Sequence, residues 1–254
     1  RPARGTQDMS TRQNGLTSMF AALTGFDEIL PLLRQRQPAL VSFDLFDTLV
    51  CRTVARPRDL FLMQGRRLRR AGLIASPAQD WLNRRKGAER RLCRQLAPHE
   101  VRLDQIYDAL LADGDLPDAA TRDRALAMEL ELEREVIRIL PGARELLQAV
   151  RETGATVAVL SDTYLPESFI RAVIAPLMPL IDRLHCSSGT SLTKRHGQAF
   201  SLLKADGRAM HFGDNPRSDR TRAWCSGVDG RLIVTAREKW IRRNRAVIAL
   251  LRLR

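Results

Sequence analysis

Short apolar strands alternate with helical segments along the second half of the chain, and this alternation constrains the fold more than any other feature. The stretch "TVAVLS" at 156–161 is almost entirely apolar, as expected of a strand buried on both faces of a sheet. Helices of about 10 to 15 residues separate it from further strand candidates, which are "RLHCSS", "AMHFGD" and "RLIVTA". Strands joined in this way form a parallel sheet with helices on both faces. The sequence therefore predicts an α/β fold built on a doubly wound parallel sheet.

One further buried strand, "ALVSFDLF", lies far upstream of the others and is separated from them by a long helical segment. Between 56 and 135 the pattern is helical throughout, with no strand candidate. We therefore expect an α/β core with an α-helical cap domain inserted after its first strand. The expected core comprises residues 38–55 and 136–236, and the cap comprises residues 56–135.

The two ends of the chain are expected to lie outside this core. Residues 1–37 read as a flexible segment followed by an amphipathic helix that is broken around Pro31. Residues 237–254 read as a basic amphipathic helix, which could dock on the core or lie on a membrane surface.

Composition favours a globular protein of a reducing compartment. The chain has 254 residues, of which 44% are hydrophobic and 28% are charged. No apolar run reaches the roughly 18 residues that a membrane span needs. The four cysteines are widely spaced and form no metal-binding pattern, so we expect free thiols and a cytoplasmic protein.

The formal net charge of +13 raises the question of a polyanionic partner. The arginines cluster in "GRRLRR", "NRRKGAERRLCR" and "KWIRRNR", which lie on helix-like segments without interleaved aromatic residues. We interpret the clusters as solvated helix faces. Nucleic acid or an acidic glycan remains a less favoured partner.

Polar residues stand at the ends of three predicted strands, where doubly wound sheets bind their ligands. Each of these residues alone could be an ordinary turn or cap residue. That all of them lie at the same edge of one sheet is less expected by chance. The catalytic candidates are Asp44 and Lys194. The candidates for phosphate binding are Ser161, Asp162, Lys194, Phe46 and Asp47, and those for supporting roles are Thr48, Asn215 and Asp219.

This set of residues suits phosphoryl transfer through a covalent intermediate. Asp44 could attack phosphorus, which divides one difficult displacement into two easier steps. The carboxylates of Asp44 and Asp214 could hold Mg²⁺, which would offset the repulsion between nucleophile and phosphate. Lys194, Ser161 and backbone N–H groups after Asp44 could bind the other phosphate oxygens.

"FDLFDTLV", "VAVLSD", Lys194 and "GDNPRSD" occur in this order and together resemble the four motifs of the haloacid dehalogenase-like (HAD) superfamily of aspartate-nucleophile hydrolases. The resemblance covers 38–55 and 140–235, and the insertion after the first motif is similar to the helical cap of that superfamily. It implies that Asp44 is the nucleophile and that Asp44, Asp214 and the backbone carbonyl of Phe46 bind Mg²⁺. Ser161 and Lys194 would bind phosphate, and Asp219 would support the metal site or orient Lys194.

One position departs from the phosphatase pattern that the resemblance implies. Phosphatases of the superfamily usually carry a second Asp two residues after the nucleophile, where it protonates the leaving group. Here that residue is Phe46, and a phenyl ring cannot exchange a proton. Asp47 is expected to face elsewhere and to stabilise the turn with Thr48. Three alternatives to an acid at this position are open. The substrate has a good leaving group, the substrate or the cap supplies the acid, or the enzyme turns over slowly.

The cap offers several acids and cations, and the sequence does not choose among them. Glutamates at helical spacing mostly pair with nearby arginines at the surface. The candidate acids are Tyr107, His99, Glu129, Glu131, Glu133 and Glu135. Candidates for recognising a second anionic group include Arg66, Arg70, Arg84 and Arg90.

The leading functional hypothesis is a Mg²⁺-dependent phosphohydrolase that acts on a small phosphorylated metabolite such as a sugar phosphate. Haloacid dehalogenases also lack the second Asp, but they need no metal. A third alternative is a degenerate hydrolase fold that serves as a binding or scaffold domain with a basic surface. The intact set of Asp44, Lys194 and Asp214 favours the first hypothesis.

Overall fold

A computed structural model describes residues 23, 25–206 and 208–234 of the chain, and a five-stranded parallel sheet forms its centre. In chain order the strands are β1 (Leu40–Phe43), β2 (Val50–Arg52), β3 (Ile137–Ile139), β4 (Thr156–Ser161), β5 (Arg183–Cys186), β6 (Ala209–Gly213) and β7 (Asp229–Leu232). The central sheet has the order β5-β4-β1-β6-β7, with β1 between β4 and β6. The predicted fold class is confirmed.

Helices cover both faces of this sheet. The helices are α1 (Ile29–Arg36), α2 (Asp59–Arg70), α3 (Ala78–Leu96), α4 (Leu103–Ala112), α5 (Ala119–Val136), α6 (Ala143–Glu152), α7 (Glu167–Val173), α8 (Ser187–Thr190) and α9 (Ala223–Cys225). Three 3₁₀ helices (Phe26–Glu28, Met178–Leu180 and Gln198–Asp206) and a π-helix (Pro216–Arg222) complete the helical set of the described residues.

Alternate residues of the central strands belong to different apolar clusters, as the period of two in a strand requires. Val41 and Phe43 of β1 belong to the cluster that includes Leu147 of α6. Leu40 of β1 belongs to the other cluster, together with Phe200. Both faces of β1 are therefore buried, which explains why its sequence is a nearly continuous apolar run.

The helical insertion folds around a buried polar network. Arg85 of α3 donates to both carboxylate oxygens of Glu129 in α5, at 2.8 and 2.7 Å. The hydroxyl group of Tyr107 in α4 also donates to Glu129, at 2.6 Å. Gln64 of α2 in turn donates to the Tyr107 hydroxyl oxygen at 2.6 Å. The network joins all four helices of the insertion, and the cap formed by residues 56–135 stays a prediction.

The structure corrects two local predictions. The helical pattern that continues through "EVIRI" ends at Val136, and the next three residues form β3, which pairs antiparallel with β2. Partner strand β2 and the β-branched isoleucines override the helical pattern there. Pro31 does not break a helix, because it lies in the first turn of α1, where its missing N–H is not needed.

Other local predictions are confirmed, are shifted along the chain or fall on residues that are not described. The fifth predicted strand, "RLIVTA", is shifted, since β7 runs from Asp229 to Leu232. All four cysteines are free thiols. The predicted flexible start of the chain and the basic helix at 237–254 lie outside the described residues.

Candidate active site

The segments that follow β1, β5 and β6 bring the predicted catalytic residues Asp44 and Lys194 together with Asp219. Asp44 follows β1 directly, and its backbone N–H donates to the carbonyl of Phe212 in β6 at 2.8 Å. The ammonium group of Lys194 lies 2.6 Å from Oδ1 of Asp44 and 2.7 Å from Oδ1 of Asp219. Lys194 is only 2% exposed. A buried lysine therefore bridges two carboxylates that are 175 residues apart in sequence.

The three charged groups shift the pKa values of one another. Burial raises the pKa of Asp44 to about 7, against the opposing effect of Lys194. Burial alone would raise the pKa of Asp219, but Lys194 and His211 hold it well below its ordinary value. Burial alone would lower the pKa of Lys194, but Asp219 and Asp44 raise it. Since a nucleophile must be ionised, Asp44 needs further positive charge nearby.

A cluster of carboxylates could bind a cation that supplies this positive charge. Asp44, Asp214 and Asp219 each offer an oxygen atom, and these atoms lie within 4.8 Å of one another. Carboxylate oxygens are ligands that Mg²⁺ prefers. Gly213 allows the Asp219 carboxylate to lie close to the backbone, because a Cβ atom at position 213 would collide with that carboxylate. The donor set fits a hard divalent cation.

The side chain of Asp162 contacts the loop that carries Lys194. Its carboxylate accepts hydrogen bonds from the backbone N–H groups of Lys194 and Arg195, at 2.7 and 2.9 Å. These bonds fix the loop that carries Lys194. The Asp162 carboxylate therefore positions that loop, and its predicted role in phosphate binding stays a prediction.

Two buried hydroxyl groups stand near the ends of the same strands. Ser161 ends β4, and Thr48 lies in the turn after β1; they are 1% and 0% exposed. Within the part of the chain that the structure describes, neither hydroxyl oxygen has a hydrogen-bond partner. Buried polar groups are normally hydrogen-bonded, so a ligand that supplies partners would stabilise both.

The turn after Asp44 places Phe46 beside Arg52 of β2. Asp47 has a left-handed φ of 57°, and its N–H donates to the carbonyl of Val50 at 2.6 Å. The guanidinium group of Arg52 lies 4.1 Å from the centre of the Phe46 ring. Arg52 also donates to both carboxylate oxygens of Glu133 in α5, at 2.7 and 2.9 Å. The Phe46 ring thus stacks on an arginine that is itself paired with a buried glutamate.

The candidate acids and arginines of the helical insertion differ in burial and in their ion-pair partners. Glu129 and Glu133 are buried, and both bind arginines, whereas Glu131 and His99 are exposed. Glu135 pairs with Arg67 at 2.6 Å, and Arg84 pairs with Asp115 at 2.9 Å. Arg66, Arg70 and Arg90 are exposed on α2 and α3. The pairs support the interpretation of many cap arginines as parts of solvated helix faces.

Sequence reasoning missed Ser42 and His211, which are both fully buried in the central sheet. The side chain of His211 contacts that of Ser42 at 2.6 Å and that of Asp219 at 3.3 Å. Each is a polar residue within an otherwise apolar strand, two residues before Asp44 or Gly213. This pattern could have drawn attention to them.

Comparisons with solved structures identify the fold of this arrangement. A candidate beta-phosphoglucomutase from Thermotoga maritima aligns with a TM-score of 0.54 at 15% identity, covering 82% of this chain and 99% of that one. The HAD-hydrolase candidate YfnB from Bacillus subtilis, bound to magnesium, aligns with a TM-score of 0.51 at 14% identity, covering 75% and 86%. The L-2-haloacid dehalogenase from Xanthobacter autotrophicus aligns with a TM-score of 0.50 at 15% identity, covering 75% of each chain.

The fold is therefore that of the HAD-like hydrolases. No protein-family model matches the sequence, and no curated protein matches it either. Among the described helices, none is long and apolar enough to cross a membrane.

Proposed function

We propose that this protein is a Mg²⁺-dependent phosphohydrolase that uses Asp44 as its nucleophile on a small phosphorylated metabolite such as a sugar phosphate. The observation that carries the proposal is the arrangement of Asp44, Lys194, Asp214 and Asp219 at one edge of the sheet. It combines a carboxylate nucleophile, a buried cation and oxygen ligands for a metal. HAD-fold neighbours include both a candidate phosphoglucomutase and a dehalogenase, so the fold alone does not choose between phosphate and halide chemistry.

The reaction would proceed in two displacements at phosphorus. An Oδ atom of Asp44 attacks phosphorus, the bond from phosphorus to the leaving-group oxygen breaks, and its electron pair departs with that oxygen. Water then attacks the phosphorus of the aspartyl phosphate, the bond to Oδ breaks, and one proton passes to solvent. Inorganic phosphate leaves, and the Asp44 carboxylate is regenerated.

The residues of the site have distinct duties in this scheme. Lys194 binds a phosphate oxygen and stabilises the charge that develops on it, with the Ser161 hydroxyl as a second donor. Asp219 holds the ammonium group of Lys194, and Asp162 holds its backbone. Mg²⁺ bound by Asp44, Asp214 and the carbonyl of Phe46 would supply the positive charge that offsets repulsion between carboxylate and phosphate.

Removal of the metal tests the proposal directly. We expect phosphate release from a panel of aryl and sugar phosphates with Mg²⁺, and its loss when a chelator is added. Restoring Mg²⁺ should restore the activity, and thermal unfolding should show that the protein stays folded in both conditions. A protein that releases no phosphate from any substrate contradicts the proposal, as does release that a chelator does not affect.

The phenyl ring of Phe46 leads to a prediction about the leaving group. Because Phe46 cannot donate a proton, substrates with acidic leaving groups should react fastest. A positioned general acid contributes about 10²- to 10⁴-fold, so nitrophenyl phosphate should exceed an alkyl phosphate by at least that factor in kcat/KM. The measurement is kcat/KM across phosphate esters of graded leaving-group pKa. A flat dependence would show that another group, such as a cap residue, donates the proton.

The acidic cluster favours phosphate over halide chemistry, because a metal site is not needed to displace halide. Chloride release from 2-chloropropionate that is unaffected by a chelator would instead establish a dehalogenase. Salt-dependent nucleic-acid binding without any hydrolysis would favour a scaffold function.

A further inference from the structure

A buried polar pair lies inside the central sheet, beneath the candidate active site. Ser42 of β1 and His211 of β6 are direct partners in the strand register, and both are 0% exposed. Alternate residues of a strand point to the same face, so Ser42 lies on the same face as Asp44. Polar groups at such positions cost free energy unless they are hydrogen-bonded, and two apolar residues could fill the same space.

The contacts of the pair define one arrangement of protons. Nε2 of His211 lies 3.3 Å from Oδ1 of Asp219, and an ionised carboxylate can only accept a hydrogen bond. Nε2 must then carry the proton. Nδ1 of a neutral imidazole is left as an acceptor, and the Ser42 hydroxyl group lies 2.6 Å from it.

Asp219 connects this pair to the nucleophile. Its Oδ1 accepts from Lys194 at 2.7 Å, and its Oδ2 accepts from the backbone N–H of Asn215 at 2.9 Å. Lys194 in turn donates to Asp44 at 2.6 Å. A continuous chain of hydrogen bonds therefore runs from Ser42 through His211, Asp219 and Lys194 to Asp44.

We propose that Ser42 and His211 are positioning residues, which orient the Asp219 carboxylate so that the Lys194 ammonium group is aimed at Asp44 and at the bound phosphate. The inference rests on the proposed function and adds two residues to it. Neither residue touches the reacting atoms. They act through Asp219, as groups behind the direct ligands of a site commonly do.

Substitutions at His211 separate the hydrogen bond from the packing. His211→Gln keeps an N–H donor near the position of Nε2, whereas His211→Leu fills the space without a donor. His211→Leu should lower kcat/KM by about 10- to 100-fold, and His211→Gln should recover most of the loss. Ser188→Ala controls for the loss of a buried hydrogen-bonding side chain elsewhere in the protein, because Ser188 is buried and donates at 2.7 Å to the carbonyl of Leu165. Equal losses in both His211 variants would overturn the proposal.

A double-mutant cycle tests whether the two residues act in series. Ser42→Ala should lower kcat/KM in the wild-type background and should have no further effect in the His211→Leu background. Losses that multiply independently would overturn the proposal, because they would mean that Ser42 does not act through His211.

Nitrogen-15 NMR of histidine in the resting protein provides a test that needs no substrate. The expected spectrum shows a neutral His211 with protonated Nε2 and unprotonated Nδ1, and Ser42→Ala should shift the Nδ1 resonance. The opposite tautomer would overturn the inference even in an active enzyme. Absence of phosphatase activity would instead overturn the proposed function. The NMR spectrum would still show whether the hydrogen bonds from Ser42 through His211 to Asp219 exist.

Discussion

Replacement of Asp44 by asparagine is expected to abolish phosphate release while the protein remains folded. Asparagine has nearly the same shape and can still contact Lys194, but its amide cannot form the aspartyl phosphate. Loss of a nucleophile removes most of the catalysis that a site provides, so kcat should fall by more than about a thousandfold. The measurement is phosphate release from an aryl phosphate in saturating Mg²⁺, with thermal unfolding to establish that the variant is folded.

Asp118→Asn is the matched control for this substitution. Asp118 caps α5 by accepting from the N–H of Thr121 at 2.7 Å, and asparagine also serves as an N-cap. The same chemical change at a distant site should leave activity near that of the wild type. If Asp44→Asn kept a tenth or more of the activity, Asp44 would not be the nucleophile. Hydroxylamine added during turnover should modify Asp44 in the wild-type protein if the acyl phosphate forms.

Replacement of Lys194 by methionine should destabilise the protein as well as inactivate it. Methionine approximates the length of the lysine stem but leaves the buried carboxylates of Asp44 and Asp219 without the cation that they share. Loss of one partner of a buried ion pair costs about 3–5 kcal/mol in unfolding free energy. Loss of the phosphate-binding ammonium group should also lower kcat/KM by at least about a hundredfold.

The destabilisation should depend on pH in a defined direction. Lys194 holds the pKa of Asp219 below its ordinary value, so this ion pair stabilises the fold above the ordinary carboxyl pKa of about 3.9. The difference between wild type and Lys194→Met should therefore be large at neutral pH and shrink as the pH falls and Asp219 takes up a proton. Urea unfolding at several pH values measures it. Lys86→Met is the control, and a similar loss of stability in that variant would contradict the explanation.

Much of the fold could be predicted from sequence because the sheet is parallel and buried. Strands such as β4 are short apolar runs, and the helices between them have a clear amphipathic pattern. The pair of β2 and β3 could not be predicted, because each strand has three residues and its existence depends on the partner. The helical pattern through Val136 gave no warning of that pairing.

The candidate site was likewise predictable from the sequence only in part. Asp44, Ser161 and Asp214 lie at the carboxyl ends of predicted strands, so the rule that ligands bind at strand ends located them. The contact of Asp162 with the loop of Lys194 was not predictable, because the pattern does not say which N–H groups a carboxylate will reach. The stacking of Arg52 on Phe46 arises from the turn that precedes β2.

The sequence by itself determined the class of fold and the identities of the residues at its carboxyl edge. Those properties follow from local patterns, because each strand and the residue that ends it are read within a few positions. Only the tertiary structure decided that Lys194 bridges Asp44 and Asp219, and that Ser42 and His211 support Asp219 from within the sheet. These contacts join residues far apart in sequence, and the order of the strands, with β1 between β4 and β6, brings them together.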